Sequence, residues 1–198
     1  MELNKIYNIL NNGGTVVMPT DTVYGIIGDA LNENSADKIY KIKNRDYKKP
    51  FIILISDIEM LCKYVKNISA LELELMNTFW PGPLTIILEK TELIPNIVTS
   101  NSDYVAVRIP NDKLLIELIK KLNRPLISTS ANLSGNNTIT NTQQLEEKII
   151  KNVDYIYDIG SVNKISSTLI KVEDNLIKII RDGELRKDLE KLYNTIIS

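Results

Sequence analysis

The chain has 198 residues, 43% of them apolar, and 24 basic against 25 acidic residues give a net charge of −1. That length and composition support an ordinary core in one domain spanning 1–198, and the charge balance argues against a bulk nucleic-acid binder. The absence of histidine, with a single cysteine, excludes Ser-His-Asp and Cys-His triads, histidine-containing zinc sites and any imidazole acid–base step. No apolar run reaches the length of a bilayer span, and Met1-Glu2-Leu3-Asn4-Lys5 lacks the layout of a signal peptide. A cytoplasmic address is expected, with no membrane partner.

Leu3, Ile6, Tyr7 and Leu10 recur at helical spacing before Gly13-Gly14, which predicts a helix over 3–11 with a glycine stop. The β-branched run 15–18 reads as a strand ended by Pro19, and 23–27 as a second extended segment. Ala36, Ile39, Tyr40 and Lys43 form one helical stripe with Ser35 as its expected cap. The continuous apolar run 51–55 predicts a buried strand. Cys62 falls in the pattern Ile58, Leu61, Cys62, Val65 and is expected to be a buried small hydrophobe. Ser69-Ala70-Leu71-Glu72 has capping-box spacing and opens a helix through Leu75 and Met76, and Trp80-Pro81-Gly82-Pro83 forces a turn. Strands are predicted at 84–88, 105–109 and 126–129, with an Asp112-capped helix carrying Leu114, Leu115, Leu118, Ile119 and Leu122. The Asn/Ser/Thr/Gly-rich stretch 132–142 reads as a loop, followed by a helix over 142–150 and strands near 153–158, 167–172 and 176–181. Leu185, Leu189, Leu192, Tyr193 and Ile196 predict a terminal helix. Helices and strands interleave without strict βαβ alternation, which favours an α/β or α+β domain with a mixed twisted sheet.

Chemistry concentrates at strand ends. Residues 43–49, Lys43-Asn44-Arg45-Asp46-Tyr47-Lys48-Lys49, put four cations after a helix. They suit a multiply anionic ligand, and equally a solvated helix end whose dipole favours cations. Arg108 interrupts the apolar strand Val105-Ala106-Val107-Arg108-Ile109. A charge so placed needs a partner, either an acid or a ligand carboxylate or phosphate. Ser128-Thr129-Ser130-Ala131-Asn132-Leu133-Ser134-Gly135 has the composition of an anion-cradling loop. Arg181 ends Ile177-Lys178-Ile179-Ile180-Arg181, and Ser166-Ser167-Thr168 opens the strand before it. Neither G-x-x-x-x-G-K-[ST] nor G-x-G-x-x-G is present.

Seven stretches in this order, 19–25, 39–54, 80–88, 105–110, 125–135, 166–170 and 179–183, resemble the YrdC-like family of L-threonylcarbamoyladenylate synthases. The resemblance implies a mixed twisted sheet flanked by helices around a deep positively charged cavity. It implies an enzyme that forms threonylcarbamoyl-AMP and pyrophosphate from L-threonine, bicarbonate and ATP. The product would pass to the tRNA threonylcarbamoyl-transferase machinery for modification at position 37 of tRNA. Residue by residue, it carries over Lys43 and Arg45, with Ser130 and Asn132, as the catalytic pairs acting by positioning and charge neutralisation. Arg45, Lys49, Tyr104, Ser130, Thr138 and Arg181 would contact ATP. Thr22, Leu54, Arg108, Ser128 and Ser167 would surround threonine. Mg2+ would arrive with ATP, with no metal ligand from the protein and no tightly bound cofactor. Ile27 stands where many relatives have glycine. Two other readings stay open: a module binding double-stranded RNA or tRNA, weakly or as its main role, and a paralogue of the same fold with another nucleotide-dependent activity.

Overall fold

The computed structural model describes residues 2–162, 165–193 and 196–197. The helices are α1 (Glu2–Asn11), α2 (Glu33–Lys43), α3 (Ile58–Tyr64), α4 (Ala70–Phe79), α5 (Asn96–Thr99), α6 (Lys113–Leu122), α7 (Glu147–Asn152) and α8 (Arg186–Leu192). The strands are β1 (Val16–Met18), β2 (Gly25–Asp29), β3 (Ile52–Leu54), β4 (Val65–Lys66), β5 (Leu84–Lys90), β6 (Tyr104–Arg108), β7 (Leu126–Ser130), β8 (Tyr155–Ile156), β9 (Thr168–Glu173), β10 (Leu176–Arg181) and β11 (Ile196–Ile197). They form one mixed sheet in the order β11-β10-β9-β5-β6-β3-β7-β2-β1-β8, with β4 attached to β5.

Local chemistry explains most boundaries. Gly13 adopts φ +78, a conformation costly for other residues, and its N–H bonds the Leu10 carbonyl to close α1. Ser69 and Glu72 make the expected capping box on α4. Asp112 caps α6 through the Leu115 N–H at 2.9 Å, and Leu115, Leu118, Ile119 and Leu122 bury the predicted stripe. Each such side chain contributes roughly 1.5–3 kcal/mol when fully buried.

Several expectations are corrected. Asn32, not Ser35, caps α2: its Oδ1 accepts from the Asn34 and Ser35 N–H groups, and the Ser35 hydroxyl donates to the Gly13 carbonyl instead. Cys62 is exposed and Ile58 is 37% exposed, because α3 turns Met60, Leu61 and Tyr64 inward. The predicted helix over 142–150 splits into a 3-10 turn (Thr142–Gln144) and α7. The terminal helix stops at Leu192, and Ile196–Ile197 pairs in parallel with β10 instead. Residues 1, 163–164, 194–195 and 198 lie outside the described residues, including Met1 of the expected N-terminal segment and part of the expected terminal helix.

The register builds a platform. Ser128 pairs with Ile52, Ile52 with Ala106, and Ala106 with Ile87, so these four residues form a row across β7, β3, β6 and β5. Strand alternation puts Tyr104, Ala106 and Arg108 on one face. Tyr104 and Arg108 bound the platform lengthwise, roughly 13 Å apart at about 3.3 Å per residue.

Candidate active site

A cavity of about 620 Å3 opens over this platform. Ser128, Ile52, Ala106 and Ile87 all line it. Because β3 and β6 run in parallel and β7 runs against them, the turn entering β3, the start of β6 and the end of β7 meet at one end. Arg45, Lys49, Pro50, Tyr104 and Ser130 are therefore neighbours there, and all line the cavity. The other end carries Arg108 at the close of β6 and Ser167 just before β9, whose first residue Thr168 pairs with Leu84. Thr22, Ser128, Thr138 and Arg181 complete the predicted residues that reach the cavity.

The cations are held differently at the two ends. Arg45 donates from Nε to the Lys49 carbonyl at 3.0 Å and from NH2 to the Pro50 carbonyl at 2.9 Å, bracing the 45–50 turn. Its guanidinium also lies over the Phe51 ring, 5.4 Å from the centroid. Arg108 is 4% exposed and donates from NH1 to Asp21 Oδ1 at 2.8 Å. Burial pushes its pKa down and the Asp21 charge pushes back. Arg181 donates from NH2 to the Ser167 carbonyl at 2.9 Å and to the Ser167 hydroxyl at 3.0 Å. Burial lowers the Arg181 pKa, and the like charges of Arg108 and then Arg45 lower it further. Arg181 thus feels both ends. Among the described residues Asp21 alone pairs with a cavity cation; Arg45, Lys48, Lys49 and Arg181 make no ion pair. Such a surplus of positive charge in a recess favours a polyanion.

Three carried-over residues stand apart from the cavity lining. Lys43 is 1% exposed and sends Nζ to the backbone carbonyls of Ser130 and Asn132. Burial, reinforced by the Arg45 charge, lowers its pKa to about 7, against a pull upward from Glu146. A neutral amine has two N–H donors, enough for those two carbonyls. Lys43 therefore pins the end of β7 rather than facing a ligand. Asn132 uses Nδ2 on the Leu133 and Asn136 carbonyls at 2.8 and 2.7 Å, shaping the loop behind Ser130. Leu54 pairs in register with Arg108 but is fully buried, where β3 enters the core. Lys43 and Asn132, expected to act by positioning and charge neutralisation, both hold the backbone around Ser130. For Leu54 the structure gives a packing role.

Asp21, within the 19–25 stretch, and Lys48, in the 43–49 run, have no individual role assigned by the sequence. The signal for Asp21 lies in Arg108, whose charge requires a partner, and in Asp21 being the one acid of the 19–25 stretch. Thr85 was also missed. It is fully buried and its hydroxyl lies 2.8 Å from that of Ser167. Its place in an apolar strand gave no hint of a polar contact. Gly183 lies so close to the 166–168 backbone that a Cβ there would sit 2.4 Å from Ser167 C and Thr168 N. Among the described residues no three His, Cys, Asp or Glu side chains cluster as a metal-binding set.

The family profile described as telomere recombination, Sua5/YciO/YrdC, matches residues 8–183. The chain belongs to this family. A relative from Methanocaldococcus jannaschii is 42% identical over 173 residues, covering 87% of this chain and 81% of its own. The threonylcarbamoyl-AMP synthase of Pyrococcus abyssi is 34% identical over 189 residues, 94% of this chain and 56% of that protein. This chain therefore spans little more than half the length of that relative. The crystal structure of Pyrococcus abyssi Sua5 complexed with L-threonine superposes with a TM-score of 0.92 at 32% identity. The superposition covers 99% of this chain and 59% of the other. The mixed α/β fold expected from the sequence is the fold observed.

Proposed function

We propose that this protein is an L-threonylcarbamoyladenylate synthase, a nucleotidyltransferase making threonylcarbamoyl-AMP and pyrophosphate from L-threonine, bicarbonate and ATP. The observation that carries the reading is the two-ended cavity. Arg108, paired with an acid and set among hydroxyls, suits a small zwitterion. Arg45, Lys48 and Lys49, without acids, suit a triphosphate. The reading is supported by the similarity to a threonylcarbamoyl-AMP synthase of Pyrococcus abyssi and to the Sua5 of that organism in complex with L-threonine.

At the Arg45 end, Lys49, Ser130, Tyr104 and Thr138 take ATP, with Mg2+ entering as part of the substrate. At the other, the free edge of the Arg108 fork takes the threonine carboxylate, as a bidentate pair requires. Thr22, Ser128 and Ser167 surround the rest of the amino acid. The threonine amine, as its free base, takes up bicarbonate with loss of water to give an N-carboxylate, and an oxygen of that carboxylate attacks the α-phosphorus as the bond to pyrophosphate breaks. Arg181, which feels both Arg108 and Arg45, stands where the two substrates meet and neutralises charge developing on the phosphate. No protein nucleophile or histidine is called for. Alignment of bound reactants supplies about 7–11 kcal/mol of the barrier reduction in favourable cases. The product then passes to the tRNA threonylcarbamoyl-transferase machinery, and a cytoplasmic address belongs to the same reading. Among the described residues no helix is long and apolar enough to cross a membrane.

The test is direct. Purified protein with ATP, L-threonine and bicarbonate is expected to release pyrophosphate only when threonine is present, with threonylcarbamoyl-AMP detected by mass spectrometry. Pyrophosphate release indifferent to threonine would overturn the reading.

A further inference from the structure

We propose that Asp21 is a positioning residue that sorts the threonine carboxylate and the ATP polyphosphate to opposite ends of the cavity, a role resting on the synthase reading above. Both carboxylate oxygens of Asp21 are occupied. Oδ1 accepts from Arg108 NH1 at 2.8 Å, and Oδ2 accepts from the Asn111 N–H at 2.9 Å. Its side chain is 4% exposed and does not line the cavity. Asp21 is therefore not placed to touch a substrate or to act as a base. It acts on the cavity through Arg108.

Two consequences follow from this geometry. The first is orientation. An arginine has several rotatable bonds, and a fork fixed at NH1 keeps the remaining N–H groups in one direction. No other partner for the Arg108 guanidinium is found among the described residues, and Arg108 lines the cavity. The unpaired edge is thus held ready for one planar carboxylate. Because Asp21 is also tied to Asn111, three residues past Arg108, the clamp joins the 19–25 turn to the exit of β6. Thr22, next to Asp21, lines the cavity with its hydroxyl and N–H both at the Thr20 hydroxyl, 3.0 Å away in each case.

The second consequence is charge. With Asp21 in place, the Arg108 charge is matched by a carboxylate, with Asp112 and Glu184 adding negative charge nearby, while Arg45, Lys48, Lys49 and Arg181 carry no paired acid among the described residues. A triphosphate or pyrophosphate is drawn to the unpaired cations, and a singly charged carboxylate loses little at the paired one. Without the Asp21 charge, Arg108 would lose its one ion-pair partner among the described residues and, with Arg181 nearby, would attract the polyphosphate.

Asp21→Asn is the variant that separates these effects, because an amide can keep one of the two hydrogen bonds and loses the charge. The expected result is a threonine KM raised about ten-fold or more with an ATP KM within about two-fold of wild type. Pyrophosphate, inhibiting the wild type against ATP, becomes competitive with threonine. In an Arg108→Ala background, Asp21→Asn adds nothing further to the threonine KM, as expected when one residue acts through the other. Asp21→Glu keeps the charge and displaces the fork, so threonine KM rises a few-fold while pyrophosphate stays non-competitive with threonine. Equal loss for both substrates, an unchanged threonine KM in Asn or Glu variants, or additive effects in the double variant would overturn the proposal. Calorimetric titration of threonine into wild type and Asp21→Asn gives a readout independent of turnover. Wild-type protein that binds threonine without threonine-dependent pyrophosphate release sinks the synthase reading, while the calorimetric difference still decides the role of Asp21.

Discussion

Lys43 and Arg108 are buried to nearly the same degree, 1% and 4% exposed, and the fold treats their charges in opposite ways. Lys43 closes α2 and meets two backbone carbonyls, with no acid in ion-pair distance among the described residues. Burial drives its pKa to about 7, near the point where the amine gives up its charge. Arg108 cannot give up its charge under ordinary conditions, and it is matched to a carboxylate. The first arrangement builds structure, holding the β7 end and the loop after it. The second keeps a cation permanently available at a cavity wall. Cations in functional motifs therefore divide by what they meet, and burial alone does not separate them.

The comparison breaks hardest at Arg108. Arg108→Ala leaves the Asp21 carboxylate buried without its charge partner, an arrangement that costs about 3–5 kcal/mol when one member of a buried pair is removed. Chemical denaturation should show a loss of that size, together with loss of threonine-dependent turnover. A change below about 1 kcal/mol, the range of exposed pairs, would mean that the pair is not energetically buried.

Arg181→Ala comes next. It removes a cation that has hydrogen bonds to Ser167 but no acid, so no charge is stranded. Turnover should fall about 100-fold, the scale of losing one aligned donor at a developing charge. The melting temperature should move far less than in Arg108→Ala. A stability loss equal to that of Arg108→Ala would erase the distinction between paired and unpaired cations.

Lys43→Met sharpens the other side. Methionine fits the stem but leaves the Ser130 and Asn132 carbonyls without their donor, at a cost of about 1–3 kcal/mol in denaturant titrations. The smallest effect is its pH dependence. The folded pKa of about 7 lies below the ordinary 10.5. Between those values the unfolded chain holds more proton at this site, so this residue's contribution rises with pH across that window and is least favourable below it. The stability difference between wild type and Lys43→Met should therefore move toward wild type from about pH 6 to about pH 9. A flat difference would show that Lys43 keeps its full charge in place.

Much of this architecture was legible because it rests on short-range rules. The α6 stripe, the Ser69–Glu72 box and the apolar run feeding β3 are periodicity and capping, which any local window contains. The failures have physical causes of the opposite kind. Ser35 looked like a cap, but its hydroxyl answers a carbonyl 22 residues away. Cys62 and Leu61 are adjacent, and a helix period cannot say which of two neighbours the sheet will cover. The elements β4 and α5 are too short to show a period. In the cavity, Arg108 announced its need for a partner, but the choice between acid and ligand was tertiary. The answer, Asp21, lies 87 residues away. Lys43 and Arg45 are two residues apart in one motif. Only packing reveals that one faces inward to carbonyls and the other faces the cavity.

The hairpin of β9 and β10 carries a last consequence. Leu169, Ile180 and Arg181 come from it and Ser166 and Ser167 lie just before it, and β9 joins the rest of the sheet by pairing with β5, where Leu84 meets Thr168. Another wall is made by Thr20, Thr22, Val23 and Gly25. On a ribosome, the first wall emerges long before the last. The recess stays open along one flank until the final strands arrive and dock. A nascent chain halted before Arg181 would hold a platform and no closed pocket. Substrate binding can thus report that synthesis of this fold has run to its final hairpin.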